Sequence, residues 1–148
     1  MLRTALAVLV GAALLGLSLP VVDDARVGHA DSQVRTELDT LETAAERLHS
    51  ESDPVAAGTP GARIERTVVL PTRSWGTAGL DRLRIPARTN ERIRWQVAGG
   101  QVQTRHTNPP LVAPPDGLKL RERGRIRLTL SLERRGGAVV VVVSRADV

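Results

Sequence analysis

Arginines that recur at every second position are the residues of this chain whose spacing could do chemistry. Successive side chains of a β-strand point to opposite faces, so arginines two positions apart line one face of their strand. Such a face suits an anionic partner, and a solvated sheet face is the plainer interpretation that stays open. The candidates for an anionic-partner face are Arg82, Arg84, Arg92, Arg94, Arg121, Arg123, Arg125 and Arg127.

Three kinds of anionic partner fit these arginines: lipid headgroups, an acidic protein surface and nucleic acid. Nucleic acid fits least, because Trp75 and Trp95 are the sole aromatic residues that could stack on bases. We therefore predict membrane lipid or an acidic protein surface as the partner, and no nucleic acid.

Residues for catalysis or metal binding do not form a recognisable pattern. The histidines are His29, His49 and His106, and none has a second ligand at metal-binding spacing. No serine is framed by glycines as in a nucleophile elbow, and no glycine-rich phosphate loop precedes a helix. We predict no catalytic residue, no metal, no cofactor, no small-molecule substrate and no enzymatic activity. An unfamiliar active site is the alternative that the sequence leaves open.

Composition allows one modest domain plus an anchor in 148 residues, with no cysteine for a disulfide or a thiolate metal site. The charge is distributed unevenly. Residues 1–60 hold four arginines against nine acidic residues, a net charge of −5, whereas residues 61–148 hold 17 basic against seven acidic residues, a net charge of +10. An acidic first part and a basic second part need a structural explanation.

Alternation of apolar and polar residues predicts strands in the second part of the chain. The predicted strands cover residues 62–70, 81–85, 91–97, 101–105, 118–121, 125–132 and 138–144. The proline-rich stretch from Asn108 to Gly117 cannot form a central strand. Five consecutive valines, Val139 to Val143, indicate a central strand that is covered on both faces.

A helical stripe precedes the strands. It consists of Val27, Val34, Leu38, Leu41, Ala45 and Leu48. Their spacings of three, four and seven place them on one side of a helix that runs from about Asp23 to about Ser50 and ends at Pro54. Two interpretations stay open: the stripe packs against the chain's own sheet, or it forms a seam with another chain. Asp31 interrupts the seam, and at the i,i+4 position it can pair with Arg35.

The segment from Thr4 to Val22 holds no charge, and Asp23 and Asp24 end it. Nineteen helical residues measure about 28 Å, close to the hydrocarbon thickness of a bilayer. We predict a retained transmembrane helix rather than a cleaved signal peptide or a buried core helix. Arg3 before the segment and the two acidic residues after it predict a cytoplasmic N-terminus and an extracytoplasmic head at the cell membrane.

The resulting fold prediction is α+β: an N-terminal transmembrane helix that continues into an amphipathic stalk helix, followed by an antiparallel β-sheet or small β-sandwich head. The predicted parts are a transmembrane anchor over 1–22, a stalk helix over 23–52, a linker over 53–61 and a β head over 62–148.

This arrangement of helix and head resembles type IV pilin-like proteins and pseudopilins. The opening residues through Arg26 and the stretch from Arg92 to Gly100 also look like short uncharacterised haloarchaeal membrane proteins. Two features depart from the pilin pattern: Thr4 rather than glycine follows Arg3, and the predicted transmembrane helix from Thr4 to Val22 holds no glutamate. The resemblance implies a non-enzymatic, pilin-like or accessory component of an envelope or secretion-type assembly, with other envelope or pilus-like assembly proteins as its partners. The alternative is an exported or tethered binding module that recognises an anionic surface through its arginine-rich sheet face.

Overall fold

In the computed structural model, which describes residues 2–59 and 61–146 without the side chains of residues 2–4 and 14–20, the chain forms one helix and nine strands. The parts of the predicted domains at residues 1, 60 and 147–148 lie outside the described residues. The elements are α1 (Leu2–Glu51), β1 (Val55–Ala56), β2 (Arg63–Leu70), β3 (Leu80–Ile85), β4 (Ile93–Val97), β5 (Gln103–Arg105), β6 (Leu111–Val112), β7 (Leu118–Leu120), β8 (Gly124–Arg135) and β9 (Ala138–Arg145).

Helix α1 is continuous over 50 residues and passes without a break through the predicted boundary between anchor and stalk. At 1.5 Å per residue it is about 75 Å long. It ends where Ser52, Asp53 and Pro54 follow, because the proline ring disfavours helical backbone at the residue before it.

The predicted transmembrane anchor over residues 1–22 is wrong. In the part of the chain that the structure describes, no helix has the length and apolarity needed to cross a membrane. The apolar side chains described there belong to residues 5–13 and 21–22, and each run is far shorter than the ~20 residues of a span. The prediction also relied on residues 14–20, whose side chains lie outside the described ones. The predicted single-pass topology and cell-membrane location depended on this anchor and are corrected with it.

A five-stranded sheet is built around β8 and β9. The hairpin that joins these two strands turns at Gly136 and Gly137, which have φ angles of 57° and 81°. Two consecutive positive φ angles are the geometry of the tight turn that matches strand twist, and glycine adopts it without strain. β2 pairs with β8 in antiparallel fashion, whereas β1 pairs parallel with β8 and β6 pairs parallel with β9. The head is therefore not purely antiparallel.

A four-stranded antiparallel sheet has the order β5-β4-β3-β7. The chain crosses between the sheets repeatedly, because β6 belongs to the five-stranded sheet while its sequence neighbours β5 and β7 belong to the four-stranded one. Each predicted strand segment contains a strand. The sequence missed the two-residue strands β1 and β6, the latter inside the proline-rich stretch and confined to a sheet edge.

The second half of α1 packs against both sheets, contacting β2 and β8 of the larger sheet and β4 of the smaller one. One hydrophobic cluster contains side chains from the helix, the five-stranded sheet and the four-stranded sheet. From the helix it takes Ala30, Val34, Leu38, Leu41, Ala44, Ala45 and Leu48, with Val27 at its margin. The stripe therefore packs within its own chain. Of the five valines, Val140 to Val143 are at most 5% exposed, and Val140 and Val142 form a small second cluster with Val112 of β6 on the other face of β9.

Truncating a buried residue of this stripe should destabilise the whole domain. Leu41→Ala leaves a cavity among helix and sheet side chains, so we expect a loss of about 2–5 kcal/mol in the free energy of unfolding. Chemical denaturation followed by circular dichroism measures it. Thr43→Ala, on the exposed side of the same turn, should change the value by less than about 0.5 kcal/mol. Equal effects of the two substitutions would show that the stripe is not part of the core.

Candidate interaction surfaces

Asp31 ties the helix to the four-stranded sheet. The indole Nε1 of Trp95 donates a hydrogen bond to Asp31 Oδ1 at 2.7 Å, and Arg35 Nε donates to Asp31 Oδ2 at 2.8 Å. The Arg35 guanidinium lies 5.6 Å from the centre of the Trp95 ring and also donates to Gln103 Oε1. The predicted pair between Asp31 and Arg35 is confirmed. Asp31 thus provides an acceptor for the single polar group of a buried tryptophan rather than merely interrupting a seam.

Arg105, on the edge strand β5, makes the second tie to the helix. Its guanidinium donates hydrogen bonds to the carboxylate of Asp39 and to Glu42 Oε2, the latter at 2.6 Å. The hydrogen bond to Asp39, together with the negative charge of Glu42, raises the pKa of Arg105 above its ordinary value. Glu42 also accepts from the backbone N–H of Asn108 at 3.0 Å. Acidic residues of the helix thus neutralise a basic residue of the head, which partly explains the uneven charge of the two parts.

The eight arginines predicted to form an anionic-partner face lie in three separate places. The outer face of the four-stranded sheet carries Arg82, Arg84 and Arg94; the outer face of β8 carries Arg125 and Arg127; the segments between strands carry Arg92, Arg121 and Arg123. All eight are exposed. The structure therefore brings three of them onto one face and separates the others from it.

The connecting segment between β7 and β8 is not uniformly basic. Glu122 lies between its two arginines and accepts a hydrogen bond from Arg145 at 2.6 Å. That hydrogen bond lowers the pKa of the Glu122 carboxyl below its ordinary value. On β8, the arginines lie opposite uncharged residues of β2, Arg125 opposite Val69 and Arg127 opposite Thr67.

On the four-stranded sheet, by contrast, basic residues lie opposite one another. Arg84 is the register partner of Arg94 on one side and of Lys119 on the other. Arg82 lies opposite Gln96 and donates a hydrogen bond to its Oε1 at 2.9 Å. We call Arg82, Arg84, Arg94 and Lys119 the basic ladder. None of the four takes part in the ion pairs found among the described residues.

Lys119 was not among the predicted site residues, although it sits between two leucines in a segment that the sequence identified as a strand. The alternation of apolar and polar residues in its segment predicted that Lys119 points away from the core, but only the pairing of β7 with β3 shows that it lies on the same face as Arg84.

A depression of about 230 Å³ lies beside the ladder, lined by its three arginines, Trp95 and Val102. Trp95 is 2% exposed, so no aromatic ring is presented on this face.

A second surface is the first part of α1. Leu6, Val8 and Leu9 are 65%, 71% and 68% exposed, and Val10, Val21 and Val22 are also exposed. We call residues 5–13 the apolar segment. It holds alanine, leucine, valine and glycine and no polar side chain.

Trp75 is the most exposed of the large hydrophobic residues that the structure describes, at 87%. It lies at the tip of the loop between β2 and β3, which is closed by hydrogen bonds from Ser74 N to Thr77 O and from Leu80 N to Pro71 O. The N–H of Ala78 donates to the carbonyl of Arg26, which fixes this loop beside α1. A cavity of about 450 Å³ separates loop and helix there, lined by residues that include Asp23, Arg26 and Arg73.

His29, His49 and His106 are all exposed. Within residues 2–59 and 61–146, no group of three or more histidine, aspartate or glutamate side chains is arranged to hold a metal ion.

Comparison with models of protein families gave a match. The family model described as "Domain of unknown function (DUF7311)" matches residues 1–146. A search of the curated proteins and a search of the solved structures each gave no match.

Neutralising the central residue of the basic ladder should not weaken the fold. Like charges directly opposite each other on a sheet are destabilising, so Arg84→Gln should leave the free energy of unfolding unchanged or raise it by up to about 1 kcal/mol. Thermal and chemical unfolding measure it.

Arg135→Gln is the matched control, because it removes the same charge from the other sheet. Arg135 pairs with Glu133 at 3.2 Å and donates to the carbonyl of Ala113 at 3.1 Å, so its loss should cost about 1 kcal/mol. An equal loss of stability in Arg84→Gln would show that the ladder arginine contributes to folding.

Proposed function

The chain belongs to the DUF7311 family, and we propose that it is a non-enzymatic, pilin-like subunit that assembles with further copies of itself through the apolar segment of α1. The observation that carries this proposal is the exposure of the leucine and valine side chains of that segment in the isolated chain.

Exposed aliphatic side chains in such a run favour association. A leucine or valine side chain that moves from water into an apolar environment contributes about 1.5–3 kcal/mol. Contiguous exposed apolar surface is uncommon on monomeric soluble proteins and marks interaction sites. The apolar segment therefore needs a partner that covers it.

The distribution of these side chains around the helix favours several neighbours over one flat partner. Residues 5 to 10 are all exposed, and six successive helical positions at 100° each cover more than one full turn around the axis. A helix that is apolar on every side is covered when other helices surround it. Copies of the same segment supply such helices, and because the segment has no charged residue, nothing in it opposes close contact between identical copies.

The connection between helix and head supports a structural role for the subunit. α1 is continuous from the apolar segment into the half that packs in the core. The hydrogen bonds of Asp31 with Trp95 and of Arg105 with Asp39 and Glu42 hold that half in place. Bundling of the apolar segments would thus set the heads at fixed positions around the bundle. Trp75, on a loop bonded to α1 at Arg26, would lie at the base of the heads, where subunits approach one another.

Charges placed in the apolar segment should prevent assembly without unfolding the head. For the full chain, we expect sedimentation velocity to show large oligomers for the wild type and a monomer for the Val8→Asp/Leu9→Asp variant, because buried unpaired carboxylates are costly. The melting temperature of the head should be the same in both proteins, since these side chains lie outside its core.

The control variant is Thr36→Asp/Thr43→Asp, which adds the same two charges to exposed positions in the second half of α1. It should assemble like the wild type. A wild-type chain that stays monomeric at every concentration, or a control variant that dissociates as fully as the first, would overturn the proposal.

A further inference from the structure

The basic ladder places like charges opposite one another, and none of its four residues forms an ion pair within the described part of the chain. Every register partner on this face is neutral or basic: Gln96 opposite Arg82, Arg94 and Lys119 opposite Arg84, and Thr104 opposite Arg94. Cross-strand pairs of like charge are destabilising. The arginines of β8, which have uncharged partners, show that the same chain can place exposed arginines without this cost.

We infer that the basic ladder is a binding site for an acidic polypeptide segment of a partner protein, bound in extended conformation along β3. The inference rests on the head alone and does not depend on assembly through the apolar segment.

The spacing of the ladder matches that of alternate carboxylates in an extended chain. Residues i and i+2 of a strand are about 6.6–6.8 Å apart. Arg82 and Arg84 stand in this relation on β3, as do two acidic residues that flank one other residue in an extended partner. Neighbouring strands lie about 4.8 Å apart, so Arg94 and Lys119 flank Arg84 closely enough to contact the same carboxylate or the next one.

The chemistry of the side chains suits carboxylates. A guanidinium binds a carboxylate through two parallel N–H···O hydrogen bonds, and such charge-assisted bonds are stronger than neutral ones. Three of the four ladder residues are arginines. Val102, which is exposed at the rim of the depression beside them, offers an apolar contact for the methylene groups of glutamate side chains.

Nucleic acid is disfavoured on this face because it offers no ring for a base to stack on. Sequence-tolerant binding of single strands combines a basic groove with exposed aromatic side chains. Trp95 is buried on the inner face of the sheet, and its N–H is engaged by Asp31.

The test uses the full chain and a fluorescent peptide of alternating glutamate and serine, with binding followed by fluorescence anisotropy. The Arg84→Gln/Arg94→Gln variant should bind the peptide about tenfold more weakly than the wild type, the effect expected when two exposed charge pairs are lost. The Arg125→Gln/Arg127→Gln variant carries the same change in net charge on the other sheet, and its affinity should stay within about twofold of wild type. Because all four side chains are exposed, a melting temperature equal to or above that of the wild type will show that each variant is folded.

Two further probes complete the design. A peptide of the same composition with its glutamates in one block should bind more weakly, and the affinity for the alternating peptide should fall as salt screens the charges. Equal losses of affinity for the alternating peptide in the two double variants would mean that net charge alone attracts it. That result would contradict a specific binding site at the basic ladder. Tighter binding of an oligothymidylate of equal charge would overturn the assignment to an acidic polypeptide.

Discussion

The burial of the second half of α1 against both sheets is the constraint on which the rest of the structure depends. Neither sheet is wide, and the core has to be aliphatic because Trp95 is its one aromatic side chain. The helix contributes alanines that allow close approach, such as Ala44 and Ala45, and leucines that fill the space between the layers. The same helix presents acidic residues at its flank, where Arg105 and Trp95 find their hydrogen-bond partners. Removing the helix would leave an exposed apolar face on each sheet.

This packing determines where the interaction surfaces lie. Because α1 is one continuous helix, a core that holds its second half also holds the apolar segment in a fixed direction relative to the head. The four-stranded sheet uses its inner face for the core and is free to carry the basic ladder on its outer face. The two surfaces are thus physically separate: one is apolar and lies on the helix, the other is basic and lies on the head. A subunit with both can associate with its own copies through one and bind a different, acidic partner through the other.

Local sequence patterns predicted the positions of the buried helical stripe and of most strands. They could not predict which strands pair with one another, because that depends on residues distant in the sequence. The 3.6-residue period identified the buried stripe, and the period of two located the strands and the outward direction of the arginines that lie on them. It failed for Arg92, Arg121 and Arg123, which lie between strands. Period alone does not say which sheet a strand joins, so Arg84 and Arg125 were assigned to one candidate face although they lie on different sheets. The roles of Asp31 and Lys119 depend on residues distant in sequence, Trp95 and Arg84 respectively. The predicted membrane anchor was inferred from length and absence of charge, and the described side chains form no run long enough to span.

The central claim is that other copies of the chain cover the apolar segment, and hydrogen exchange measured at a series of protein concentrations tests it most directly. Amides of residues 30–48 lie in a helix packed in the core, so they should exchange slowly at every concentration. Amides of residues 5–13 should exchange quickly when the protein is dilute and become protected as the concentration rises and the segments pack together. Exchange in residues 5–13 that stays fast at every concentration, while residues 30–48 remain protected, would contradict the account.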